Sequence, residues 1–243
     1  MRADTLVIIP AFNEATRIAA VIAGVRAVVP AADIVVIDDG SGDDTAAVAR
    51  HAGAMVIRHP FNLGYGVTIQ TGYKYALAKG CRFLVQIDGD GQHDPAGIPA
   101  LLAPVSAGDA DFVIGSRFLN GNSYRPPLLR RFGMLLFRSI VALVIRQPVT
   151  DCTSGFQAFN REVIGFFARD LFPCDYPDAD VLISLHLAGF RIREVPVRMS
   201  AGAAGKSMHS GIKPVYYVFK MLLSIAVTLL RSHRLYRRRS SCR

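Results

Sequence analysis

Two carboxylates one residue apart, Asp88 and Asp90, stand in Ile87-Asp88-Gly89-Asp90-Gly91-Gln92-His93-Asp94-Pro95, directly after the apolar run Phe83-Leu84-Val85. At the mouth of a buried strand such a pair suits an oxygen-ligated divalent cation, because Mg²⁺ and Mn²⁺ prefer carboxylate, water and phosphate oxygens. A cation held by only two or three protein groups keeps open positions that a diphosphate can fill. The segment therefore points to an enzyme acting on a nucleotide-linked substrate. Two other chemistries fit less well. A calcium loop of the EF-hand type needs Gly at its sixth position and Glu at its twelfth, where this chain has His93 and Pro99. A phosphatase-type Asp-x-Asp nucleophile usually follows the first strand, with Thr or Val where Gln92 stands, whereas this pair follows the fourth strand-like run.

Further polar groups close other apolar runs. Adjacent carboxylates in Val36-Ile37-Asp38-Asp39-Gly40-Ser41 can accept hydrogen bonds from a nucleobase N–H or ribose hydroxyls, or cap the next helix. Ile9-Pro10-Ala11-Phe12-Asn13-Glu14 lacks the glycines of a dinucleotide-binding turn, and no P-loop lysine pattern occurs. The phosphates then fall to a cation at Asp88 and Asp90. Asp178 and Asp180, in Tyr176-Pro177-Asp178-Ala179-Asp180, are candidate general bases, or plain N-terminal charge on a helix.

These groups must be positioned by alternating strands and helices. Strand-like runs at Leu6–Ile9, Ile34–Ile37, Met55–Ile57, Phe83–Ile87 and Phe112–Ile114 are separated by helical patterns at Glu14–Val28, Asp43–Ala52, Gly66–Ala78 and Pro95–Ala107. Asn13 is expected to cap the first helix and Asp43 and Asp44 to start the second. This order predicts an α/β fold with a mostly parallel, doubly wound sheet that binds ligands at the carboxyl ends of its strands. The second half is less regular. Leu128–Ile145 is a long apolar stretch, Asp151–Phe159 is turn-rich, Asp180–Ala188 reads as helix, Phe190–Val197 as strand and Ser200–Gly211 as a loop.

The chain has 243 residues, enough for one large core, and a formal net charge of +9. Much of that charge lies in Arg231, Arg234, Arg237, Arg238, Arg239 and Arg243, after the nearly apolar run Val215–Leu230. As a helix that run would extend ~24 Å, short of a ~30 Å bilayer core, and Lys220 interrupts it. An amphipathic helix on an anionic membrane surface fits, and binding to lipid is preferred over binding to nucleic acid. The alternative is a terminal core helix with a solvated tail. The expected organisation is a catalytic unit over 1–211 and a membrane-surface element over 212–243. The start, Met1-Arg2-Ala3-Asp4 before Thr5–Ile9, is too short for a signal peptide, and the four dispersed cysteines read as reduced thiols.

Six segments, in order, resemble the family-2 inverting glycosyltransferases, in particular their dolichyl- or polyprenyl-phosphate sugar synthase branch. They are Pro-Ala-Phe-Asn-Glu (10–14), Asp-Asp-Gly-Ser (38–41), Asn-Leu-Gly-Tyr-Gly (62–66), Asp-Gly-Asp-Gly-Gln-His-Asp-Pro (88–95), Gly-Ser-Arg-Phe (115–118) and Asp-Cys-Thr-Ser-Gly-Phe-Gln-Ala-Phe (151–159). The resemblance covers roughly residues 5–210. It implies a GT-A fold with Pro10, Ala11, Glu14, Asp39, Asp88 and Lys206 around a GDP- or UDP-hexose. It implies Mg²⁺ or Mn²⁺ held by Asp88, Asp90 and Gln92. Arg117, with Arg130, Arg131 and Ser154, would hold a phosphate of the acceptor or donor. The implied reaction moves a hexose to a polyprenyl phosphate at the cytoplasmic face of the inner membrane, by a peripheral protein with or without a small integral membrane partner. Two alternatives remain at this level: transfer to a glycan hydroxyl with Asp178 or Asp180 as base, and a catalytically silent subunit that binds nucleotide-sugar. The acceptor side departs from the family pattern. Apolar Met134, Leu135 and Phe137 stand where relatives carry Ser and Asn, and Met208 follows Ser207.

Overall fold

The computed structural model describes residues 4–119, 128–169, 172–173, 177–199 and 213–235, with side chains described over 137–145 and 218–230 of its two longest helices. The expected loop at 200–211, with Lys206, Ser207, Met208 and His209, lies outside the described residues, as do Arg237, Arg238, Arg239 and Arg243. Arg130, Arg131, Met134 and Leu135 belong to a described helix, but their side chains lie outside the description.

The expected alternation is present: β1 (Thr5–Ala11), α1 (Ile18–Val28), β2 (Asp33–Asp38), α2 (Thr45–His51), β3 (Met55–Arg58), α3 (Tyr65–Lys79), β4 (Phe83–Gln86), α4 (Ile98–Ser106) and β5 (Phe112–Ser116). Then come α5 (Leu128–Ile145), β6 (Gln157–Asn160), α6 (Arg161–Phe167), α7 (Ala179–Leu187), β7 (Ile192–Pro196) and α8 (Lys213–Leu235). The strands form one seven-stranded sheet in the order β3-β2-β1-β4-β6-β5-β7. All neighbours pair parallel except β6, which runs antiparallel to β4 and β5.

Alternate residues of the strands supply two cores. Leu6, Ile8, Val35 and Ile37 face α3, α5, α6, α7 and α8; Val7, Ile9, Ile34 and Val36 face α1, α2 and α4. Strands buried on both faces read as continuous apolar runs, which is why β1, β2, β4 and β5 were legible, while β3, with Met55 exposed, forms an edge of the sheet. Helix α8 belongs to the first core: Met221 and Ile225 are buried in the same cluster as Phe112, Phe137 and α7 residues Leu182 and Leu185. Among the described residues no helix is long and apolar enough to cross a membrane. Cys81 and Cys152 are buried free thiols.

Asn13 does not cap α1. That helix begins at Ile18 with no side-chain cap, and Asn13 takes a left-handed φ of 57°. Its N–H instead donates to Ser41 Oγ at 2.9 Å, and its Oδ1 accepts from Gly42 N at 2.8 Å. Glu14 N donates to Thr45 Oγ1 at 2.8 Å and Ala15 N to Asp43 Oδ2 at 3.1 Å. Segment 13–15, after β1, is thereby laced to segment 41–45, after β2, and the two motifs form one ledge.

Candidate functional site

The ledge lies along the carboxyl edge of the sheet. Ala11 pairs with Asp38 across β1 and β2, and Gly89 N donates to the Pro10 carbonyl at 3.2 Å. Pro10 and Ala11, both buried, therefore stand between the acidic pair at 38–39 and the acidic loop after β4. A methyl group on Gly89 would lie 3.0 Å from the Pro10 carbonyl oxygen and 3.3 Å from Ala11 Cβ, so this close approach favours glycine. Glu14 sits at the outer end of the ledge, paired with Arg17 at 2.9 Å.

The 38–39 carboxylates are buried and largely occupied. Asp39 Oδ1 accepts from His59 Nδ1 (2.8 Å) and Leu63 N (2.9 Å), and Oδ2 from Gly64 N (2.9 Å). Asp39 thus folds the glycine-bearing loop after β3 back over the site. Asp38 Oδ1 accepts from Ser41 N at 3.1 Å. Its Oδ2 lies 3.0 Å from Arg58 Nε but has no aligned hydrogen-bond donor, so it is a charge contact and a buried acceptor at once.

The Asp88 and Asp90 carboxylates occupy different environments. Asp88 Oδ1 accepts from the Tyr65 hydroxyl at 3.0 Å, and its Oδ2 lies 3.5 Å from His93 Nε2. Behind Tyr65, Gln86 Nε2 donates to the Tyr65 oxygen (2.9 Å) and to Gly155 O (3.1 Å), while Tyr73 donates to Gln86 Oε1 at 2.5 Å. Burial and the Asp88 charge push both phenols well above their ordinary range, so they remain donors. Burial raises the Asp88 carboxyl, but His93, the Tyr65 hydroxyl and Arg117 outweigh it and hold the group below its ordinary value. Asp90 goes the other way. Burial and the neighbouring Asp88 charge raise it, against the Gln92 N–H that donates to its Oδ1 at 2.9 Å. One carboxylate is set as a permanent anion, and the other is an anion that a nearby positive charge would stabilise.

These residues fit a divalent cation. The donors are hard oxygens on one short loop, the Asp88 side chain keeps 26% exposure, and the Asp90 carboxyl, raised by burial and the Asp88 charge, is one whose ionised form a cation would favour. Asp88 and Asp90, with Gln92 beside them, would hold it. Among the described residues no cluster of three or more His, Cys, Asp or Glu offers an alternative site.

Three residues around Asp88 were not singled out by sequence reasoning. Tyr65 and His93 contact its two oxygens, and Gly155 leaves room for it: a methyl group there would lie 2.6 Å from Asp88 Oδ2 and 2.8 Å from the Tyr65 oxygen. Gly155 and Tyr65 lie within the family-like segments, yet their contacts with Asp88 join positions 23 and 67 residues apart, which no local pattern displays. The His93 ring is buried, lies tilted by 40° with its centroid 5.2 Å from that of Phe156, and finds no partner for Nδ1 among the described residues.

Arg117 is buried at the end of β5 and engaged chiefly by protein. Its Nε and one terminal nitrogen each donate to an Asp151 oxygen at 2.6 Å, and the latter nitrogen reaches Thr153 Oγ1 at 2.8 Å. Glu194, on β7, accepts from Thr150 N and Asp151 N at 2.8–2.9 Å. This web delivers the 151–155 loop, and with it Gly155, to Asp88. Ser154 is also buried, and its hydroxyl oxygen accepts from Phe156 N at 3.3 Å.

The two candidate bases separate. Asp178, half-buried, precedes α7, and its charge contributes to raising the Tyr65 phenol and the Cys152 thiol, the latter pushed up to about 12 mainly by burial. Asp180 is fully buried. Its Oδ1 accepts from Val181 N (2.9 Å) and Asp178 N (3.2 Å), and its Oδ2 from the Ser224 hydroxyl of α8. With both oxygens taken and no exposure, Asp180 is a clamp between α7 and α8 rather than a base facing substrate. Burial raises its carboxyl despite these donors. The associated stability is fully present below the unfolded value of about 3.9 and is lost as pH rises through the raised folded value. Asp180→Asn keeps the acceptor oxygen without the charge. Its melting temperature, relative to the parent protein, is expected to climb as pH rises across that window. A difference that stays flat from pH 4 to 8 would contradict the assignment.

The family model described as "Glycosyl transferase family 2" matches residues 6–166. A polyprenol monophosphomannose synthase from Mycolicibacterium smegmatis is 31% identical over 228 residues, covering 89% of this chain and 85% of the relative. An undecaprenyl-phosphate mannosyltransferase from Micrococcus luteus is 30% identical over 218 residues, covering 85% and 87%. Among solved structures, glucosyl-3-phosphoglycerate synthase from Mycobacterium tuberculosis, in complex with Mn²⁺, UDP and glucosyl-3-phosphoglycerate, superposes with a TM-score of 0.66 at 22% identity, covering 94% of this chain and 79% of that one. That likeness establishes the fold, GT-A.

Proposed function

Because the chain belongs to glycosyl transferase family 2, and so is a glycosyltransferase, we propose that it moves a hexose, with inversion, from a nucleoside-diphosphate sugar to a polyprenyl phosphate. The observation that carries the donor half is the pair Asp88 and Asp90, on either side of the Gly89 that bonds the Pro10 carbonyl and tuned in opposite directions. The acceptor class is supported by the names of the relatives that cover most of the chain.

In this reading the base and ribose lie over Pro10, Ala11 and Glu14, with Asp39 reading the base while it holds the 61–64 loop. The diphosphate reaches the acidic loop. A divalent cation bound there, Mg²⁺ or Mn²⁺, would neutralise charge that builds on the departing diphosphate. The residues of the chain do the rest. Tyr65 and His93 hold Asp88 ionised and oriented, and Gly155 keeps the space around it clear. Arg117 fixes the 151–155 wall and adds positive potential at Asp88, with Arg130, Arg131 and Ser154 as further acceptor-side groups. Lys206 would add charge at the diphosphate.

A lipid phosphate arrives already ionised, so no general base is needed, in keeping with a buried Asp180. One observation favours a second reading: the Asp178 charge lies close enough to Tyr65, whose hydroxyl donates to Asp88, to act on its phenol, which puts a carboxylate near the acidic loop as the base for a glycan hydroxyl. The silent-subunit alternative is set aside, since the family and the relatives are glycosyltransferases.

The test is a panel of UDP- and GDP-hexoses with Mn²⁺ and undecaprenyl phosphate, followed by radiolabel in the organic phase. Label is expected in lipid from one donor. Transfer to sugar hydroxyls alone, abolished by Asp178→Asn with KM unchanged, would replace the first reading with the second.

A further inference from the structure

Helix α8 has two apolar faces, and among the described residues the core packs on one. Val218, Met221 and Ile225 turn inward onto the core, and Ser224 binds Asp180 of α7. On the other side Phe219, Leu222, Leu223, Leu229 and Leu230 are exposed, with Phe219 at 63%, Leu223 at 53% and Leu230 at 79%. With Ala226, also exposed, they recur at three- and four-residue intervals. At 3.6 residues per turn they fall within an arc of about 120°. A stripe of large side chains left in water along several turns marks an interaction site.

The charge around the stripe selects its occupant. No acidic residue occurs after Glu194, while Lys213, Lys220, Arg231, Arg234, Arg237, Arg238, Arg239 and Arg243 all do. A helix with a bulky apolar face that runs into arginines has the composition of an element lying in the plane of an anionic bilayer. Such a surface favours each basic residue near it by about fivefold in partition.

We propose that the outer face of α8 seats on an anionic lipid bilayer, with the inner face still packed on α7. The seat goes beyond the assigned transfer reaction and does not depend on which acceptor is used.

The experiment is co-sedimentation of the full chain with protein-free vesicles of phosphatidylcholine, with or without phosphatidylglycerol. Two variants accompany it: Leu223→Gln/Leu230→Gln on the outer stripe, and Arg231→Gln/Arg234→Gln. The parent protein is expected to bind phosphatidylglycerol vesicles and to be released by salt. The leucine variant is expected to lose at least tenfold in partition, with its melting temperature and its turnover in detergent unchanged. The arginine variant is expected to lose binding on anionic vesicles only. Three results would overturn the proposal: equal binding by the parent and the leucine variant; binding to native membranes but not to protein-free vesicles, which would assign the stripe to an integral membrane protein; and a concentration-dependent dimer lost in the leucine variant without vesicle binding, which would assign it to a second copy. Because no vesicle contains polyprenyl phosphate, failure here leaves the acceptor assignment untouched.

Discussion

Asp90→Ala is expected to lower sugar-transfer turnover by about 10²–10³-fold, the scale of losing one stabiliser of developing charge in a reaction site, while leaving the fold intact. The two halves of that expectation rest on one fact. Burial and Asp88 raise the Asp90 carboxyl, so its ionised form is held against its surroundings, and its removal is expected to spare the fold. What is lost is the group that a cation would convert from a liability into a ligand. Calorimetric titration with Mn²⁺ should show the loss directly, apart from any activity. In the parent protein Mn²⁺ affinity should weaken as pH falls through the raised Asp90 value, because proton and cation compete for one carboxylate. Undiminished turnover of Asp90→Ala in the presence of a chelator would remove the cation from the reaction.

Arg117→Met is expected to cost about 3–5 kcal/mol of stability, the range for breaking a buried ion pair from one side. Asp151 is buried, and the substitution takes both 2.6 Å partners from its carboxylate. Arg117→Lys should recover only part of the loss, since an ammonium cannot present two parallel donors. Arg117→Met/Asp151→Leu should be more stable than Arg117→Met alone, because the stranded charge goes with its partner. Urea unfolding at neutral pH measures all three. If Arg117→Met unfolds like the parent protein yet fails in catalysis, the arginine acts on substrate and not through the 151–155 wall.

The strands that carry the acidic loops were legible because their determinants are local. Apolar runs such as Leu6–Ile9 and Ile34–Ile37 are buried on both faces of the sheet, and each hands its carboxyl end a short polar motif. Strand β6 was not legible: Gln157-Ala158-Phe159-Asn160 is four residues long, has polar ends, and becomes a strand only between β4 and β5. Asn13 looked like a helix cap because its type suits one, but the partner it found lies 28–29 residues away. Asp180 reads as a candidate base or as N-terminal helix charge until Ser224, 44 residues later, is placed on its oxygen. Asn13 misled because its partners lie outside its own segment, and nothing local to Asp180 announces Ser224.

The seating of α8 carries a thermodynamic corollary. Its outer stripe is presented only while the inner face is packed, so a surface that binds the stripe binds the folded chain and not the unfolded one. Linkage then makes that surface a folding ligand, adding about 2.7 kcal/mol when its effective concentration is a hundred times the dissociation constant. The place where the enzyme resides and the lifetime of its fold become a single quantity. A chain cut after residue 211 would forfeit both at once, since Met221 and Ile225 leave the core and Asp180 loses Ser224.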